Sequence, residues 1–275
     1  MMARAIFLAC LAALLVFAIA VLVKVPRHDR SWQPHLSRLP VVSLNDGRFS
    51  IQEYRDWSYP AGGEPVQVWK TLPELQVQDV RRVWLIVEPH PSLPVMAHTL
   101  VLFEFQDGEL IGLTVEARKQ AGEKYSPLRG ALNAFELIYQ WATPQDLLTR
   151  RANYLGHELY MYPLALTQGE TEAYLTALLD KTKHIETHPR FYNTLTSNCT
   201  NELAKAARLS WHPAFVFTGK SPDALYRMDR IAGDGAFEEL KANARIDPLV
   251  KSIAAETGAR FNAALIDAKT VTSTE

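Results

Sequence analysis

The chain has 275 residues, of which 48% are apolar and 21% are charged, and its formal net charge is -1. This composition is typical of a globular protein with one sizeable core, and the sequence shows no internal linker or repeat. The balanced charge argues against a nucleic-acid-binding protein, and the cysteine spacing does not fit a zinc motif. We expect no cofactor.

The N-terminus carries the clearest organisational signal. After Arg4, an apolar run occupies residues 5–23, which is long enough to cross a bilayer as a helix. We predict a signal anchor over residues 1–26; the alternative is a signal peptide cleaved after Ala20. Both a signal anchor and a signal peptide would export the rest of the chain. The anchor predicts a single-pass inner-membrane protein with a periplasmic domain. More cations follow the run than precede it, which opposes this orientation.

The remaining residues predict an α+β domain. Residues 27–40 are polar and punctuated by prolines, which predicts a stalk, and the domain occupies residues 41–275. Clusters of β-branched and aromatic residues predict strands at 83–87, 99–105, 110–117 and 160–162. Asp107-Gly108 predicts a hairpin between the second and third strands. Spacing and capping residues predict helices over 171–187, from Asn198, from Ser221 and over 253–268. Together these elements predict an antiparallel sheet with helices packed on it.

Cys199 is the candidate nucleophile, since it is the only cysteine after the predicted anchor and has no disulfide partner there. It lies in the first turn of the helix that Asn198 is expected to cap. Free N–H groups and the helix dipole at that position favour the thiolate, and the same N–H groups can stabilise an oxyanion. The alternative is a buried, inert cysteine.

His98 is the candidate base among eight histidines. It opens an apolar strand, and a rigid strand holds an imidazole better than a loop does. The alternative is a hydrogen-bonded core histidine. The other seven lie in the predicted stalk, next to loops or at a helix end.

A cysteine at a helix start, packed on a sheet that carries a histidine, resembles the papain-like arrangement. Here Cys199 follows His98, which is the circularly permuted, NlpC-like order of the lecithin:retinol acyltransferase-like group. The motifs over residues 51–209 further resemble the Lnb N-terminal periplasmic domain family. They are His98-Thr99-Leu100, Phe103-Glu104-Phe105, Asp107-Gly108, Val115-Glu116-Ala117-Arg118, Gly122-Glu123-Lys124-Tyr125-Ser126, Phe191-Tyr192-Asn193-Thr194-Leu195 and Asn198-Cys199-Thr200, with Arg55-Asp56-Trp57 and Tyr160-Met161-Tyr162-Pro163 fitting the flanks.

The resemblance implies acyl transfer at a membrane. Cys199 would take an acyl group from a phospholipid as a thioester and pass it to the amine of a lipoprotein or to a similar acceptor. His98 would deprotonate the thiol and then assist the amine. The expected partners are therefore the membrane, phospholipid and a lipoprotein.

Further residues are candidates for the same site. Glu116 and Arg118 lie two apart on one strand and therefore face the same side. Glu116 is predicted to orient the imidazole as the third catalytic residue; the alternative is a surface ion pair with Arg118. Contacts with substrate or oxyanion are predicted for Asn198, Thr200, Arg118 and Tyr125.

Two other functions stay open. One is a cysteine amidase or peptidase acting on cell-wall peptides, which a polar, open cleft would favour. The other is a membrane-tethered binding domain without catalysis, which a separation of Cys199 from every histidine would favour. An apolar groove at Cys199 would favour the acyltransferase.

Overall fold

A computed structural model describes residues 23–60 and 62–271, together with Arg4 and Phe7. Within these residues one sheet and several helices form the α+β architecture that was predicted. The predicted membrane span lies almost entirely outside the described residues. Among those described, no helix has both the length and the apolar character needed to cross a membrane.

Nine strands of the described chain form one sheet, in the order β1-β2-β7-β6-β5-β4-β8, with β3 added on β2 and β9 on β7. The β2–β7 pair is parallel and the other pairs are antiparallel. The hairpin turn at Asp107-Gly108 is confirmed between β5 and β6, where Gly108 has a φ of 85°. The strands are β1 (Val41–Asn45), β2 (Arg48–Arg55), β3 (Trp69–Gln76), β4 (Val80–Pro89), β5 (Ala97–Phe105), β6 (Leu110–Arg118), β7 (Phe135–Ala142), β8 (Tyr160–Pro163) and β9 (Phe191–Tyr192).

The described helices are α1 (Pro127–Ala131), α2 (Pro144–Thr149), α3 (Gln168–Thr187), α4 (Cys199–Ala206), α5 (Ser221–Arg227), α6 (Phe237–Ala244), α7 (Asp247–Ser252) and α8 (Ala259–Val271). Two helices begin at residues other than those predicted from the sequence. Helix α3 begins earlier because Thr167 and Glu170 form a capping box. Helix α8 begins later because Gly258, with a φ of 54°, interrupts the chain before it.

The central strands are buried on both faces. Phe103 and Trp141 belong to the cluster on one face, together with side chains of α3 and α4. Leu102 lies on the opposite face with Leu147 and Phe261, which come from α2 and α8. Because side chains alternate along a strand, the same strands supply both layers. The sheet is thereby held between two sets of helices, and α4 brings Cys199 against it.

The segment 27–40 packs on the domain, which corrects the predicted stalk. Trp32 and Leu36 are buried. The backbone N–H of Gln33 donates to the carbonyl of Lys119 at 3.0 Å, next to the end of β6. Burial of these two apolar side chains is favourable and helps to hold an otherwise polar stretch against the sheet.

Candidate active site

Cys199 occupies the first turn of α4, and Asn198 fixes that turn. The Asn198 side chain accepts a hydrogen bond from the backbone N–H of Asn201 at 2.8 Å, as predicted for an N-cap. Its amide nitrogen donates to the carbonyls of Thr194 and Phe215 at 2.8 and 2.7 Å. Both amide hydrogens are thereby used, so Asn198 acts as a cap and not as the predicted oxyanion donor.

His98 lies near the start of β5, beyond the ladder with β6 that begins at Leu100 opposite Thr114. Its Nε2 atom lies 2.6 Å from the Thr114 hydroxyl and 3.1 Å from Oε1 of Glu116. The Thr114 hydroxyl in turn donates to the same Glu116 oxygen at 3.0 Å. Since Thr114 donates onward, Nε2 carries a proton, and Nδ1 is the ring nitrogen left for another partner.

The Cys199 thiol lies on the wall of the same cavity as His98, and the two groups are coupled electrostatically. Burial alone would raise the pKa of the thiol, but His98 and, to a smaller extent, Thr99 lower it to about 7. Burial would lower the pKa of His98, but Glu116 and then Cys199 raise it to about 10. Between these values the thiolate–imidazolium pair predominates.

Glu116 stays ionised in this arrangement. Burial would raise the pKa of its carboxyl, but His98 and then Arg151 hold it well below its usual range. The carboxylate can therefore orient the imidazole and balance its charge. The structure thus places Cys199, His98 and Glu116 on the wall of one cavity.

A second cluster of charged side chains, which the sequence did not predict, lies next to Glu116. The buried guanidinium of Arg151 donates to Glu88 at 2.8 Å and to Glu116 at 3.2 Å. Glu88 also contacts Nδ1 of His157. Arg151 lies in a π-helical turn, Arg150–Tyr154, a feature that often occurs at functional sites.

One cavity of about 470 Å³ joins these groups. Cys199, His98 and Glu116 lie on its wall, with Glu88 and His157. Most of the remaining lining is apolar and includes Pro89, Pro91, Leu93, Met96, Val115 and Tyr192. A thiol and its partners therefore open into a largely apolar space.

Arg118 does not join this cavity. Its guanidinium donates to the carbonyls of Leu36 and Ser37, each at 2.8 Å, and lies over the Trp32 ring. It follows Glu116 by two strand positions, so it shares that face but lies farther along, where the N-terminal segment covers the sheet. The predicted substrate contact of Arg118 is therefore corrected to an anchoring role.

Thr200 and Tyr125 differ in their placement. The Thr200 hydroxyl lies 2.9 Å from that of Thr99, on the wall of a separate small apolar pocket. Its side chain is therefore not in the main cavity, contrary to the predicted substrate contact. Tyr125 lines the main cavity, and its hydroxyl lies 3.1 Å from that of Thr194.

The described residues thus form an α+β domain in which a thiol, an imidazole and a carboxylate line one cavity. The chain belongs to the Lnb N-terminal periplasmic domain family, which matches residues 68–229, more than half of its length. This confirms the family resemblance and supports the predicted periplasmic location. No curated protein and no solved structure matches the chain. The relation to the permuted papain-like fold stays a prediction.

Proposed function

We propose that this domain is a thiol acyltransferase that takes an acyl group from phospholipid. The observation that carries the proposal is the convergence of Cys199, His98 and Glu116 on the wall of an apolar cavity. A thiol with a pKa of about 7 is nucleophilic at neutral pH. The apolar walls suit a fatty acyl chain, and this agrees with the chemistry that the family resemblance implies.

In the first step, the Cys199 thiolate attacks the carbonyl carbon of a phospholipid ester. A carbon–sulfur bond forms, the ester carbon–oxygen bond breaks, and the departing oxygen takes the proton of the His98 imidazolium. The products are an acyl-thioester and a lysophospholipid, and the imidazole becomes neutral.

The start of α4 supplies groups that can stabilise the oxyanion of this step. The first N–H groups of a helix have no acceptor within the helix. The Asn198 side chain accepts the hydrogen bond of the Asn201 N–H. The backbone N–H groups of Cys199 and Thr200, at the same helix start, are then available to an oxyanion. Backbone donors fixed in this way stabilise a developing oxyanion without reorganisation.

In the second step, a neutral amine attacks the thioester carbonyl carbon. A carbon–nitrogen bond forms, the carbon–sulfur bond breaks, and His98 takes a proton from the amine. This regenerates the thiolate and the imidazolium, whose charge Glu116 balances. The proposed acceptor is the α-amine of a lipoprotein's lipidated N-terminal cysteine.

Two alternative functions fit the site less well. A cysteine amidase acting on cell-wall peptides requires a polar groove, and the apolar lining weighs against it. A non-catalytic binding domain would not need the thiol and the imidazole to interact. The electrostatic coupling of Cys199 to His98 therefore weighs against it.

The test is incubation of the full chain with phosphatidylethanolamine vesicles, followed by intact mass. We expect the mass of one acyl chain on the wild type, its removal by hydroxylamine, and no adduct on Cys199→Ser. Cys10→Ser is the matched control and should keep the adduct. A wild type that remains unmodified would contradict the proposal. Release of free fatty acid with no transfer to an added lipopeptide amine would identify a hydrolase instead.

A further inference from the structure

Several large apolar side chains remain exposed beside the cavity. Leu93 and Tyr125 line it directly. Three others each adjoin a lining residue in the chain: Leu128 follows Pro127, Leu195 follows Thr194 and Phe217 precedes Thr218. We name Leu93, Tyr125, Leu128, Leu195 and Phe217 the apolar rim.

Hydrogen bonds tie the loops of the apolar rim to one another and to the sheet. The Thr194 hydroxyl lies 3.1 Å from that of Tyr125 and donates to the carbonyl of Pro127 at 2.8 Å. The Thr218 hydroxyl donates to the carbonyl of Ala97 at 2.6 Å, next to His98 on β5. The loops that carry the rim residues are therefore fixed around the same cavity, whereas single exposed apolar residues scattered over a surface would need no explanation.

The chain enters the domain beside this surface. The apolar run predicted to cross the bilayer ends at Val23. The side-chain ammonium of the next residue, Lys24, donates to the carbonyl of Leu132 at 2.9 Å. Leu132 is the C-cap of α1, the short helix that carries Leu128. A membrane segment leaving at this point would hold α1 close to the bilayer.

Cations accompany the rim. Lys119 lines the cavity, Lys124 precedes Tyr125 and is exposed, and the exposed Lys220 donates its backbone N–H to Phe217. Apolar side chains interspersed with lysines are typical of surfaces that bind the headgroup region of a bilayer.

We propose that the apolar rim docks on a phospholipid bilayer and turns the mouth of the cavity toward the lipid. The role of lipid as substrate rests on the proposed function, whereas the docking itself is argued from the rim, its lysines and the point of chain entry. Docking would let an acyl chain pass from the bilayer into the cavity without crossing water.

Fluorescence quenching tests the docking without catalysis. The full chain carrying Cys10→Ser and Cys199→Ser receives one cysteine, Leu128→Cys or Phe217→Cys, which is labelled with an environment-sensitive dye. Val66→Cys is the matched control, because Val66 is also exposed but does not line the cavity or adjoin a lining residue. In vesicles of phosphatidylethanolamine and phosphatidylglycerol, nitroxide lipids should quench the dye at 128 and 217 but not at 66. Equal quenching at all positions would overturn the proposal.

A second measurement links docking to acyl loading. Leu128→Glu with Phe217→Glu should slow acyl loading of Cys199 from vesicles by about tenfold, whereas loading from a monomeric short-chain phospholipid should be unchanged. Val66→Glu should affect neither reaction. Equal loading of the double variant and wild type from vesicles would overturn the docking role. A wild type with no adduct from either lipid would reject the proposed function, and the quenching result would still decide the docking.

Discussion

Oε1 of Glu116 lies 3.1 Å from Nε2 of His98. The same carboxylate oxygen accepts from Arg151 at 3.2 Å, and both cations keep the pKa of Glu116 well below its usual range. The imidazolium of His98 thereby has a fixed counter-ion. This raises the pKa of His98 and, through it, favours the Cys199 thiolate.

Replacement of Glu116 by glutamine should weaken that pair. Loss of the negative charge lowers the pKa of His98, so less imidazolium is present to stabilise the thiolate. We expect the pKa of Cys199 to rise by about 1 to 2 units, with slower alkylation by iodoacetamide at neutral pH. Glu53→Gln, at an exposed ion pair with Arg38, is the control and should leave the rate unchanged. Identical rates in Glu116→Gln and wild type would contradict the role assigned to Glu116.

Replacement of Arg151 by methionine should destabilise the fold strongly. It would leave the carboxylates of Glu88 and Glu116 without their shared buried cation, at a cost of about 3 to 5 kcal/mol in the free energy of unfolding. Arg227→Met removes an exposed partner of Asp223 and should cost less than about 0.5 kcal/mol. Urea denaturation of both variants measures the difference, and equal midpoints would be incompatible with a bridging role for Arg151.

Replacement of Asn198 by alanine should loosen the start of α4. It removes one accepted and two donated hydrogen bonds, so we expect a loss of about 2 to 3 kcal/mol. Thr167→Ala removes the exposed cap of α3 and should cost only about 1 kcal/mol. The comparison is again made by urea denaturation. A smaller loss in Asn198→Ala than in Thr167→Ala would show that the amide donations contribute little.

Local signals predicted much of the site. The cap at Asn198 is set by residues three apart, and Asp107-Gly108 fixes the hairpin that carries His98 and Glu116. Each depends on a few consecutive residues, so the sequence alone suffices. For the same reason the helix start at Cys199 could be predicted.

Partners brought together by tertiary packing could not be predicted in this way. Glu88 and Arg151 are 63 positions apart, and their contact depends on how α2 and the turn after it pack on the sheet. Strand β7 (Phe135–Ala142) is buried on both faces, so it lacks the alternation that identifies a strand. Arg118 was misplaced because its acceptors are backbone carbonyls, which leave no mark in a sequence.

A titration of thiolate absorbance measures whether His98 lowers the pKa of the Cys199 thiol. In a Cys10→Ser background Cys199 is the single cysteine, and its thiolate signal should fall as the pH decreases through about 7. In His98→Gln the midpoint should move upward, to about 8.5 or above, because burial is then opposed by fewer favourable interactions. The same midpoint in both proteins would mean that His98 does not stabilise the thiolate.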